Sequence, residues 1–132
     1  MGTLQKGFEL YQAIDTPFHR AIFIMFLVSE VHPFMDGNGR IARIMMNAEL
    51  VSAKEQRIII PTVYRNNYLS ALKAISQNKI TEPIVRMMDF AQKYTASIDF
   101  RDFANARMLL ERTRAFMDPY EAEGQGMRLT LP

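Results

Sequence analysis

Ile22, Phe23, Ile24, Met25, Phe26, Leu27 and Val28 follow one another without a polar interruption, and Ala21 precedes them. They sit inside a longer helical stretch, Phe18 to Val31, which Asp15 or Thr16 can cap. Pro17 can open it, because the first turn of a helix does not use the N–H that proline lacks. A helix that is apolar on nearly every face has to be surrounded, so it belongs in the middle of the fold. It is no membrane span: Ala21 to Val28 falls far short of the roughly 20 apolar residues that crossing a bilayer takes. Met1 to Lys6 carries neither the basic start nor the apolar stretch of a signal peptide.

The rest of the chain punctuates itself into short helices. Leu4, Phe8, Tyr11 and Ile14 give Thr3 to Ile14 one apolar face. Periodicity resumes at Gly39 and runs through Ile41, Ile44, Met45, Ala48 and Val51, which predicts a second buried helix. Asn66 to Gln77, Glu82 to Ser97 and Phe100 to Phe116 have helical spacing, and Pro83 stands near the start of its helix. Ile58, Ile59 and Ile60, closed by Pro61, suit a short extended piece at an edge. Asp118, Pro119, Gly124 and Gly126 break the pattern, so an irregular tail is expected over 118–132. The predicted fold class is all-α: a compact bundle of about six helices around a central buried helix pair.

Composition adds limits. With 132 residues, 48% hydrophobic and 23% charged, the chain suits a single packed domain. Sixteen Lys and Arg against fourteen Asp and Glu leave a formal charge of +2, which does not call for nucleic acid. Without cysteine there is no disulfide framework and no thiolate metal site, and cytoplasm is the default expectation.

The chemistry is concentrated in His32-Pro33-Phe34-Met35-Asp36-Gly37-Asn38-Gly39-Arg40-Ile41-Ala42-Arg43, between the two apolar helices. Glycines on both sides of Asn38 let the backbone turn tightly and approach a ligand, and the helix that follows directs its free N–H groups into the loop. That combination receives anions. Arg40 and Arg43, three residues apart, share a helix face and both reach toward a polyphosphate there. Asp36 supplies one hard oxygen ligand, enough for a magnesium ion that keeps waters and takes its other ligands from phosphates. Histidine is the side chain that can act as a base near neutral pH, and His32 is one loop away from the anion site. These residue types describe displacement at phosphorus.

The run resembles the signature of the Fic (Fido, filamentation-induced-by-cAMP) family, His-Pro-Phe-x-Asp/Glu-Gly-Asn-Gly-Arg-x-x-Arg, at every defined position. The resemblance implies a helical domain over 1–117 that is a protein adenylyltransferase. AMP from Mg-ATP would pass to a Ser, Thr or Tyr hydroxyl, with His32 as general base and Asp36 holding Mg2+. Gly37, Asn38 and Gly39 would line the anion pocket, Arg40 and Arg43 would hold the outer phosphates, Pro33 would stiffen the loop, and Phe34 would turn its ring into the core as an anchor. The likeness runs from about Phe18 to about Ser97. It includes Arg65-Asn66-Asn67-Tyr68-Leu69-Ser70-Ala71-Leu72, similar to a less specific family run, in which Asn67 and Tyr68 would neighbour the nucleoside.

Two family features have no counterpart in the sequence. The β-hairpin flap that aligns a target peptide would lie ahead of the first helix, so a partial domain is expected. An inhibitory Ser/Thr-x-x-x-Glu-Gly/Asn helix finds only Glu123-Gly124, with Pro119 at the leading position, which leaves room for a separate inhibitor protein. Two other functions stay open: a nucleotide-binding interaction module that does not turn over, and a toxin using another phosphate-containing donor. Elsewhere the bland reading wins. His19 and Asn47 are structural, Glu30 lies on a different helix face from His32, and the ten methionines are core filler. Arg101, Arg107, Arg112 and Arg114, interleaved with Asp102 and Glu111, read as a solvated face.

Overall fold

A computed structural model describes the backbone of residues 2–132; the side chains of residues 2–4 and of Phe8, and with them two of the four positions of the first predicted apolar face, lie outside the described residues. The chain forms two compact units, one ending at Arg57 and the other beginning at Ile58. The fold is all-α, with seven α-helices and no strand among the described residues. None of these helices is long and apolar enough to cross a membrane.

The first unit holds α1 (Gly2–Gln12), α2 (Pro17–Val31) and α3 (Asn38–Ser52). Thr16 is extended and Pro17 occupies the first turn of α2, as its chemistry requires. Ala21, Ile22, Ile24, Met25, Leu27 and Val28 are all buried, which meets the demand of a helix apolar on nearly every side. They pack with Ala42, Met46 and Leu50, the i, i+4, i+8 stripe of α3. The predicted face of that helix was rotated, since Ile44 and Val51 are exposed. A polar cluster ties the three helices together. Tyr11 donates to Glu49, Arg20 lies 3.3 Å from the same carboxylate, and its guanidinium sits 4.5 Å above the Tyr11 ring. The Glu49 carboxylate accepting from its hydroxyl, together with burial, raises the Tyr11 pKa above 10.0.

The second unit begins with an irregular segment and a single 3-10 turn, Thr62–Tyr64. These lead into α4 (Arg65–Asn78), α5 (Glu82–Ala96), α6 (Phe103–Arg112) and α7 (Pro119–Gln125). The three isoleucines do not form the extended edge piece that their branching suggested. The Ile59 N–H donates to Thr95 Oγ1 at 3.1 Å, so its partner is a side chain of α5 and not a neighbouring strand. The core of this unit gathers Val63, Tyr94, Ile98, Ala106, Ala115, Ala122 and Leu129. The tail expected to be irregular contains α7, and the residues read as pattern breakers are its caps. Asp118 accepts from the N–H of Tyr120 and of Glu121, Pro119 takes the first turn, and Gly126 closes the helix at φ 65°. Burial of Pro119, Ala122 and Leu129 then holds the segment.

Candidate functional site

The junction between α2 and α3 gathers nine of the residues singled out by the sequence. α2 stops because His32 adopts left-handed backbone, φ 52° and ψ 59°, while its N–H still donates to the Val28 carbonyl at 3.1 Å. The five residues from His32 to Asp36 are all exposed. Gly37 then turns the chain at φ 71°, a conformation that glycine adopts without steric cost, and α3 begins at Asn38.

No side chain caps α3. The first bond that closes a turn is from Ile41 N–H to the Gly37 carbonyl at 2.9 Å, so the N–H groups of Asn38, Gly39 and Arg40 have no acceptor within the helix. They form the positive end of the helix dipole. Arg40 is exposed and Arg43 half-buried. A Cβ placed on Gly39 would lie 3.3 Å from Arg43 Nη1, so that guanidinium folds back along the first turn.

Asn38 has a role beyond lining the loop. It is buried at 6% exposure, accepts from the Phe34 N–H at 3.0 Å and donates to the Phe34 carbonyl at 2.9 Å. The amide therefore staples the loop to the helix start, and its contribution to an anion is its backbone. The sequence signal for this was an asparagine between two glycines, which alone does not separate a staple from a lining residue. Phe34 departs from expectation as well. Its ring is half exposed and is no core anchor; the loop is anchored through the Phe34 backbone by Asn38.

Asp36 places one carboxylate on the exposed loop, one residue before Gly37. Among the described residues no three His, Cys, Asp or Glu side chains gather into a metal cage. A lone carboxylate is a hard oxygen donor, of the kind that a divalent cation takes alongside water and phosphate oxygens. Asn67 and Tyr68 lie on α4 of the second unit. Asn67 is exposed and lines a cavity of about 600 Å³ with Tyr64, Phe90, Glu123 and Arg128. Tyr68, at 5% exposure, is a buried residue of α4 together with Ala71, so its ring is not offered to a nucleoside.

Fold and junction together define a helical protein with an anion-receptive helix start, flanked by a histidine, a carboxylate and two arginines. The sequence model of the Fic/DOC family matches residues 3–50 of this chain. The chain is 38% identical over 72 residues to the protein adenylyltransferase Fic of Drosophila yakuba, covering 54% of this chain and 14% of that protein. It is 36% identical over 78 residues to that of Drosophila willistoni, covering 59% of this chain and 16% of the relative. The chain thus spans about a seventh of the length of the curated relatives it matches. No solved structure matches it significantly.

Proposed function

We propose that the α2–α3 junction transfers AMP from ATP to the hydroxyl of a Ser, Thr or Tyr residue on a target protein. The observation that carries this reading is the meeting, within one loop and the first two helical turns of α3, of His32, Asp36, three open N–H groups and the Arg40–Arg43 pair. The relatives' name, protein adenylyltransferase, supports the same class of reaction.

In this reading the His32 imidazole takes the proton of the acceptor hydroxyl as its oxygen attacks the α-phosphorus. The bond from that phosphorus to the bridging oxygen breaks, and pyrophosphate leaves with the electron pair. The N–H groups of Asn38, Gly39 and Arg40 stabilise the charge that gathers on the phosphoryl oxygens. Arg40 and Arg43 hold the outer phosphates. Asp36 would hold Mg2+, which when bound neutralises charge on the α- and β-phosphates. Gly37 lets the backbone come close to the nucleotide, and Pro33 limits the loop's freedom.

Transfer from α-labelled ATP with magnesium into lysate proteins, beside γ-labelled ATP and beside His32→Ala, tests the proposal. Label from the α position alone, lost in the variant, is the expected result. Full labelling by His32→Ala removes the base assignment. Mg-ATP binding that Arg43→Ala abolishes, without any labelled product, favours a nucleotide-binding module that does not turn over.

A further inference from the structure

We infer that Met35 selects the acceptor segment, favouring a hydroxyl that has a large aliphatic or aromatic side chain close beside it. The inference rests on the AMP-transfer reading above and deepens it toward the class of target.

Met35 is as exposed as a methionine can be, at 104% of its reference surface. Its position is nevertheless defined. On one side Asn38 grips both polar atoms of the Phe34 backbone, and on the other Gly37 turns the chain into α3. The side chain therefore stands on a stapled loop and contributes nothing to the buried core of its unit. Handling the nucleotide gives it no task either, because the open N–H groups, the arginines and Asp36 are all polar.

Met35 is three residues from His32 and adjacent to Asp36. Three residues of chain span at most about 11 Å, so the Met35 backbone cannot be farther than that from the base's backbone. A protein hydroxyl within hydrogen-bond reach of His32 carries its neighbouring residues across the same loop. A flexible, polarizable thioether there gains by covering itself with an apolar side chain, and it accommodates aliphatic and aromatic shapes alike. Loss of one such contact is expected to lower kcat/KM by about tenfold.

The test is an array of synthetic peptides with one Ser, Thr or Tyr each, flanked by Leu or Phe in one set and by Ser or Gln in the other. The array is exposed to α-labelled Mg-ATP and either the wild-type chain or Met35→Gln. Supporting the inference, the wild type labels the apolar-flanked set about tenfold more efficiently. Met35→Gln then erases that preference and keeps the wild-type Mg-ATP affinity and melting temperature. Equal labelling of both sets by the wild type, or a preference retained in Met35→Gln, overturns the inference and leaves AMP transfer standing. Absence of label on every peptide and on the chain itself, with Mg-ATP bound, overturns the transfer reading and this inference with it.

Discussion

His32 holds a backbone conformation that costs a non-glycine residue roughly 1–2 kcal/mol, and it does so at the position the proposed chemistry needs most. Glycine would enter the same turn freely. His32→Gly is therefore expected to be about 1 kcal/mol more stable than His32→Ala, read from the two urea midpoints, while both variants lose transfer. Equal midpoints would mean that no strain is stored at this residue. Asn38 shows the reverse economy: its amide is consumed by the Phe34 backbone, which is why a residue whose type suits phosphate binding acts here through its main chain. Phe34 and Tyr68 exchange environments relative to expectation, the first exposed and the second buried. Residue type alone favours burial for both, and only their neighbours separate them.

At the scale of elements, α1 meets α2 through Gly7, where an added Cβ would come 2.5 Å from Leu27 Cδ1 and 2.7 Å from Cδ2. In an exposed helix Gly→Ala gains about 1 kcal/mol of propensity. Leu27 is itself buried and has little room to turn away, so overpacking at about 1–3 kcal/mol outweighs that gain. Gly7→Ala should lower the unfolding free energy by about 1 kcal/mol in urea titration; a rise would show that α1 shifts to accommodate the methyl. Helix positions were legible because apolar spacing is set locally by 3.6 residues per turn. Their ends were less so. Asp118, Pro119 and Gly126 are loop formers and helix caps in equal measure, and which role each takes depends on whether the helix between them has a core to bury against.

Across the whole molecule, tyrosine ionisation couples stability to alkaline pH. Burial raises the pKa of Tyr64 and of Tyr94, with the Thr113 hydroxyl partly offsetting the effect at Tyr94, while the Glu49 carboxylate and burial raise that of Tyr11. A raised folded-state pKa means that the native chain keeps these protons at a pH where the unfolded chain has lost them. Their contribution is thus complete below the unfolded value of 10.0 and falls away as pH rises through the higher folded values. The melting temperature should fall as the pH rises above about 10, and Tyr94→Phe should flatten that slope even though it loses the bond to Thr113. An unchanged slope would remove Tyr94 from the linkage.

Read alone, the sequence determined the all-α class, the central burial of the Phe18–Val31 helix and the clustering of His32, Asp36, Arg40 and Arg43 beside a helix start. Each of these follows from spacing along a few turns of chain. Tertiary structure alone decided which face of α3 is buried, that the Phe34 ring stays outside, that Tyr68 is core, and that the C-terminal residues fold into α7. Those outcomes depend on which apolar surfaces and backbone polar groups come together from distant parts of the chain, and no local periodicity encodes that.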